Sequence, residues 1–411
     1  MPGLEDELIA LRREIHRFPE LAGEERRTSA LVAERLRALG LEVTTGVGGH
    51  GVVAVLDRSA HGPTLAYRAD MDAVGAPARL PIPHSGAVFD ASFTSQVPDV
   101  GHLCGHDLHV AIGVGVAATL AQSSDAIPGR IVFVFQPAEE TLQGAAAMLE
   151  AGALLPHPPR EIYALHCAPL PVGTLAVAPG YGLPGHDDFR ITLTGASAAA
   201  ATEVAEAAER LAAQIAELST APLPESAAEY ARYFAEAAET DSPLRRFVHL
   251  RCGSAAVAAD ASASGDAGEG AGAAAEVTGY YRAWPFSRFA ELRAQLTWLA
   301  EEAGGRIVFP SCAPFPGMVN SPELSLAAAQ ELRGVLGPEA VTSMHSAWPF
   351  SGEDFALFLE QVPGAMFWLG VADPAAGVNG APHTPDFAAD ERAIGHGVRA
   401  MAALLTSRLA G

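Results

Sequence analysis

RIVFVFQPAEETLQGAAAMLEA, residues 130–151, reads as a strand that ends on two carboxylates and then turns into a helix. Its apolar run, Ile131 to Phe135, lacks polar alternation, as expected of a strand covered on both faces. A helix pattern at about 107–122 precedes it, and EIYALHC (161–167) reads as a further buried strand. Upstream, LEVTT (41–45), GVVAVL (51–56) and TLAYRADMD (64–72) are strand-like. Before them, Leu4, Leu8, Leu11 and Ile15 recur at helical spacing, and a second helix at 24–39 ends at Gly40. Helices alternating with strands predict an α/β fold, a mostly parallel sheet flanked by helices.

A second pattern starts near residue 186. DFRITLTG (188–195), RFVHLRC (246–252), EVTGYYRAW (276–284) and RIVFP (306–310) read as strands, with helices at 198–218 and 287–303. The order β-α-β-β-α-β predicts a ferredoxin-like α+β domain, 186–311, inserted between two parts of a larger domain, 1–185 and 312–411. Two segments interrupt that plan. Residues 222–241 look like an extra helix opened by prolines. Residues 253–275, almost pure Ala, Gly, Ser and acid, are too poor in apolar bulk to pack and are expected to form a mobile low-complexity loop.

The 411 residues carry 26 basic and 48 acidic side chains, a net charge of −22, and 49 % are hydrophobic. Such apolar content excludes a wholly disordered chain. The charge opposes nucleic-acid phosphates and anionic lipid, so neither is an expected partner. No apolar run reaches the roughly 18 residues of a membrane span. The charged first twenty residues read as an amphipathic helix and not a signal peptide. Four cysteines make no disulfide framework. The expectation is a soluble, cytoplasmic protein.

GHLCGHDLHV (101–110) sets His102, Cys104, His106, Asp107 and His109 just before a helix. A lone His or Cys is usually a core residue. Five such groups together point to a metal, and imidazole with thiolate suits Zn²⁺ and its neighbours better than Mg²⁺. The spacing C-x-H lets Cys104 and His106 share one side of an extended segment, leaving Asp107 to orient an imidazole. In QPAEE (136–140) the two carboxylates could open the next helix, where the dipole favours them. Beside a metal motif they divide the work: one ligates, the other takes a proton from water. His166 near the end of a buried strand and His383 in PHTPDF (382–387) are further candidate ligands. Cys167, Cys252 and Cys312 are taken as core or incidental thiols. There is no G-x-S-x-G elbow, no phosphate-binding G-x-x-x-x-G-K-[ST] and no H-E-x-x-H.

These motifs, with LRREIHRFPELAGEERRTS (11–29), YRADMDAV (67–74), LHCAP (165–169) and SGEDFALFLEQVPGAMFWLG (351–370), resemble the metal-dependent amidohydrolases of the aminoacylase and carboxypeptidase superfamily. The most similar branch is that of hippurate hydrolases, N-acetyl-amino-acid deacetylases and auxin–amino-acid conjugate hydrolases. The resemblance covers about residues 5–185 and 312–400. It implies two divalent metal ions, Zn²⁺ or Mn²⁺ with Co²⁺ and Ni²⁺ also compatible, on Cys104, His106, Glu140, His166 and His383. It also implies Cys104 as the bridge and Glu139 as the general base. Asp70 and Asp72 fall where the superfamily carries its first metal-site motif and are expected behind the ligands. Glu353 and Asp354 are expected to support the site or the substrate. The substrate implied is a small amide, an N-acyl amino acid or a relative, and a homodimer through the inserted domain is implied too.

The inserted domain departs from the family. Relatives carry G-K-G-G-H-A-A-x-P after its first strand, and that histidine, often from a partner subunit, stabilises the oxyanion. Here the run is Gly195 to Ala201, with Ala199 at the histidine position. The family's G-G-x-x-N-V-I-P is absent, and its G-T-V-R turn survives only as Thr278 to Arg282. His186, His249 or Arg282 could substitute. Three readings stand: an amidohydrolase; a repurposed metalloenzyme that forms amides, transfers acyl groups or does other carbonyl chemistry; and a non-catalytic metal-containing binding protein.

Overall fold

Helix α1 (Pro2–Arg17) turns Leu8, Leu11 and Ile15 inward, as their spacing predicts. The computed structural model describes residues 2–58, 62–76, 92–123, 128–258 and 272–411. After α1 come α2 (Arg26–Ala38), β1 (Glu42–Val47), β2 (Gly51–Asp57), β3 (Thr64–Asp70) and a short pair, β4 (Val74–Gly75) with β5 (Val100–Gly101). Then follow α3 (His106–Gln122), β6 (Arg130–Gln136), α4 (Gly144–Glu150), β7 (Glu161–Pro171), β8 (Leu175–Val177) and β9 (Gly182–Leu183). The next group is β10 (Gly185–Gly195), α5 (Ala201–Ala216), α6 (Ala227–Ala237), β11 (Phe247–Ala258), β12 (Ala273–Trp284), α7 (Arg288–Glu302) and β13 (Arg306–Val308). The chain ends through β14 (Met318–Val319), α8 (Pro322–Leu336), β15 (Val341–Ser343), α9 (Phe355–Gln361), β16 (Gly364–Ala372) and α10 (Arg392–Ala410).

Eight strands form one sheet in the order β1-β2-β6-β3-β7-β16-β8-β15. Its centre is parallel, β6 with β3, β3 with β7 and β7 with β16, while β1–β2, β2–β6 and β16–β8 are antiparallel. This is the expected α/β sheet. On one face α3 packs against β3 and is itself covered by α1 and α10. Doubly covered, α3 is buried on nearly every side, and its sequence is correspondingly apolar. The other face carries α4 and α9, with Val132, Val134, Ala164 and Met366 in its core.

The second sheet has the order β11-β12-β10-β13, all antiparallel, with α5 and α7 on one face. That is the strand order of the expected ferredoxin-like lid. The low-complexity expectation needs correction at its ends. Residues 253–258 pair with 273–278 as the outer arms of β11 and β12. A ladder needs only backbone groups, so Ala-rich sequence can extend it where no core is demanded. The rest of that segment, 259–271, lies outside the described residues.

Candidate metal centre

The C-terminal ends of the central parallel strands carry the site. β3 ends on Asp70 with Asp72 just beyond; β6 ends on Gln136, with Glu139 and Glu140 in the following turn; His166 lies in β7. β6 and β7 flank β3 on opposite sides, the switch point at which open α/β sheets bind ligands.

Cys104 and His106 enter from the loop before α3. They do not share an extended segment, as the spacing had suggested. Gly105 between them has φ +89°, and a Cβ there would collide with the Cys167 sulfur. The left-handed turn lets His106 open α3 while Cys104 stays in the loop. Their donor atoms still converge: Cys104, His106 and Glu140 each place one ligand atom within 4.8 Å of the others.

The surrounding bonds fix each donor. His106 Nδ1 lies 3.2 Å from Asp72 Oδ1, and the other Asp72 oxygen accepts the Glu140 N–H at 2.9 Å. His166 Nδ1 donates to Cys167 O at 2.9 Å, which leaves Nε2 at 3.3 Å from Cys104 Sγ. His383 holds a left-handed φ of 62°, rare for a side chain of this size, and its N–H donates to Leu103 O at 2.6 Å. That puts His383 Nε2 3.4 Å from Glu140 Oε1. His106 Nε2 lies 3.7 Å from the same oxygen and 3.8 Å from Glu139 Oε2.

His106 Nε2 is buried and has no hydrogen-bond partner among the described residues. A buried nitrogen so placed is costly unless something else binds it. Burial would lower the pKa of His106, but Asp70, Asp72 and Glu140 carry it up to about 10. The surroundings therefore demand a positive charge at that nitrogen, which a proton supplies when no cation does. Burial opposes the charge on Glu140, yet His383 and His106 bring it down to about 2. Burial and Glu140 push the Cys104 thiol up, so Cys104 needs a cation to become a thiolate. One thiolate, three imidazoles and a carboxylate in acidic surroundings fit divalent zinc-like cations.

Glu139 is buried, and its pKa is raised by that burial, then by Glu353 and Glu140. Arg68 anchors this acidic cluster, donating to Asp70, to Glu353 at 2.9 Å and to Asp354 at 3.2 Å. Gln136 bonds both Arg68 and Asp354.

Two expected roles change. Asp107 does orient an imidazole, but that of His16 (2.9 Å), with Arg12 at 3.0 Å, away from the donor cluster. α3 turns its first residues to different sides, so one step along the helix separates His106 from Asp107. Asp70 binds His109 Nδ1 at 2.6 Å. His109 Nε2 accepts the Cys167 N–H, so both ring nitrogens are engaged and His109 is a strut. Among the described residues the buried His102 has no hydrogen-bond partner at either nitrogen, and burial brings its pKa down to about 3.

A cavity of about 460 Å³ opens over the cluster and is lined by Cys104, Glu139, Glu140, His166, Glu353 and His383. His186, Arg251, Tyr280 and Arg282 of the second sheet close it. His249 is not among the lining residues; it donates to Ala221 O and packs on Phe350. Ala199 sits exposed on a short 3-10 turn before α5.

The sequence reading passed over Arg68, Gln136 and Glu25, whose Oε1 accepts the Ala138 N–H. An arginine and a glutamine inside otherwise apolar strands were signals, because such groups are buried only when partnered. Tyr230 of α6 gave no signal.

The chain belongs to peptidase family M20/M25/M40, whose model matches residues 66–407. It is 32 % identical over 406 residues to a putative glutamate–cysteine ligase of Rhodococcus jostii, covering 97 % of this chain but 46 % of that protein. It therefore spans about half the length of that relative. It is 30 % identical over 419 residues to the N-acetyldiaminopimelate deacetylase of Shouchella clausii, covering 98 % of each. A solved Bacillus subtilis structure, described as a dinuclear metal-binding peptidase of the M20 family, matches with a TM-score of 0.73 and 25 % identity over 100 % of this chain and 99 % of that one.

Proposed function

We propose that this chain hydrolyses the amide bond of an N-acyl amino acid, using two divalent cations held by Cys104, His106, Glu140, His166 and His383. The observation that carries this reading is the convergence of Cys104, His106 and Glu140 within 4.8 Å, with His166 Nε2 3.3 Å from Cys104 Sγ, His383 Nε2 3.4 Å from Glu140 Oε1 and Glu139 Oε2 3.8 Å from His106 Nε2. Such cations, when bound, supply polarisation of the scissile carbonyl and acidify the attacking water.

The chain's own groups do the rest. Glu139 takes a proton from the attacking water and returns it to the leaving nitrogen. Its acidic neighbours raise its basicity, and Arg68 keeps them in place. Asp72 aims His106 and fixes the Glu140 backbone with one carboxylate. Arg282 supplies the positive charge of a corner suited to the substrate carboxylate, and His186 beside it is held neutral by burial and by Arg282 itself. Among the described residues Arg282 Nε and His186 Nδ1 are buried without a hydrogen-bond partner, while Arg282 Nη1 is held by Phe350 O at 2.7 Å and His186 Nε2 lies 3.2 Å from Asp188.

The test is a mass-spectrometric hydrolysis assay on Zn²⁺- or Mn²⁺-loaded protein with a pool of N-acyl amino acids, run beside Glu139→Ala. The expected result is release of free amino acids by the wild type alone. No release with two metals bound, or equal release by Glu139→Ala, overturns the reading. Ala199, in place of the oxyanion histidine, motivates a second reading, amide formation or acyl transfer, which added amine acceptors would reveal as new conjugates.

A further inference from the structure

Helix α6 belongs by sequence to the inserted domain, between α5 and β11, yet it does not join that domain's core. Tyr230, Tyr233, Phe234 and Ala237 pack into the apolar cluster of the large sheet. Ser226 caps the helix start by accepting the Glu229 N–H at 3.2 Å, and Ala237 O near its end accepts the His345 N–H at 2.7 Å. Both ends are thus fixed, and one face is presented to the cavity. Tyr230 and Phe234, four residues apart and so on that face, line the same cavity as Cys104 and Glu139.

What they build there is aromatic. The Phe234 ring lies 4.9 Å from Trp348 and 6.2 Å from Trp368, and Trp368 lies 5.7 Å from His166. Tyr230 is 4.9 Å from Trp348, and its hydroxyl donates to Pro382 O, the residue before His383. The wall therefore runs from the inserted helix to two of the metal-binding histidines. Trp368 Nε1 is buried and has no hydrogen-bond partner among the described residues. The cationic corner, Arg282 with His186 beside it, belongs to the other sheet. A substrate with its carboxylate at the cationic corner and its amide at the donor cluster has only its acyl group left for the aromatic wall.

We infer that α6 is the acyl-specificity element of this enzyme: Tyr230 and Phe234, with Trp348 and Trp368, receive an acyl group that ends in an aromatic ring. This rests on the hydrolytic reading. Ring edges at 4.5–7 Å attract beyond the area they bury. N-phenylacetyl-alanine should bind about tenfold tighter than N-acetyl-alanine.

Calorimetric titration of Zn²⁺-loaded Glu139→Ala protein with both ligands tests this without turnover. N-acetyl-phenylalanine, with its ring on the amine side, should show no such gain. Phe234→Leu, added to that background, should bring the two acyl ligands together by weakening N-phenylacetyl-alanine about tenfold. Equal binding of the two acyl ligands by the parent overturns the inference, as does an equal gain for N-acetyl-phenylalanine. A preference that survives in a folded Phe234→Leu protein overturns it too. If Phe234→Leu does not fold, the parent's three affinities still decide. Equal binding alongside wild-type hydrolysis removes only this inference. No binding and no hydrolysis of any of the three removes the hydrolytic reading with it.

Discussion

The donor cluster and the wall facing it are held to different standards. On the large sheet, the donors behind the cavity are aimed by buried polar supports. His106 is aimed by Asp72, Asp72 also pins Glu140, Arg68 ties together three carboxylates, and His383 is bonded to the loop that carries Cys104. On the second sheet, His186 and Arg282 reach into the same cavity, and among the described residues nothing bonds His186 Nδ1 or Arg282 Nε. A metal site tolerates displacements of a few tenths of an ångström, so its supports must be buried and doubled. A recognition wall has to match one ligand, and it can be rebuilt without disturbing the donors. The departures from the family's pattern, Ala199 and the added α6, both fall on the rebuilt side.

The largest expected effect breaks the donor side. Glu139→Gln should lower kcat by about 10²–10⁴ while metal content, read by plasma mass spectrometry, stays at the wild-type level. Loss of metal together with activity would make Glu139 a ligand and not a base. A smaller effect is expected one step back from the donors. Asp72→Asn keeps its size but loses the carboxylate that orients His106, and should weaken metal affinity about 10- to 100-fold by chelator competition. Unchanged affinity would show that the His106 aim is set elsewhere.

A third effect is a pH dependence of stability. Burial raises Glu353 to about 7, although Arg68 opposes the shift. The folded state therefore holds this proton more tightly than the unfolded chain. The contribution is fully present below the ordinary carboxylate range and is lost as pH rises through about 7. Metal-free protein should melt at a lower temperature at pH 8 than at pH 5, and Glu353→Gln should flatten that slope. A slope of opposite sign would mean that Glu353 is ionised in the fold.

Much of the donor side was legible in the sequence because its chemistry is local. Cys104 and His106 lie two positions apart, Glu139 and Glu140 are adjacent, and their residue types have few other uses in such a setting. Uninterrupted apolar runs and helical spacing fixed β6, β7 and α1 for the same reason, since periodicity is a short-range signal. The supports were harder to read. Arg68 meets Glu353 and Asp354 from nearly three hundred positions away, and only the folded sheet brings them together. Asp107 was misplaced because helical geometry, not spacing along the chain, decides which side it faces. The ends of the Ala-rich segment were read as loop because composition reports core packing and says nothing of a backbone ladder. The α6 wall was unreadable, because Tyr230 and Phe234 look like the stripe of any amphipathic helix until Trp348 and Trp368 stand opposite them.

The smallest expected effect sharpens the comparison from the other side. If the wall has been rebuilt, restoring the family's residue should achieve nothing. Ala199 is exposed on a turn before α5, and it is not among the residues that line the cavity. Arg282 already supplies a half-buried cation there with His186 beside it, and α6 supplies the facing surface. A histidine at 199 would stand in solvent, where it makes no contact with a developing oxyanion and stabilises no transition state. Ala199→His should therefore leave kcat/KM unchanged, at low protein concentration and at high. A gain that grows with protein concentration would mean that position 199 reaches the site of a second copy. The wall would then be a reduced version of the family's lid, and the cavity described here would be only part of the working site.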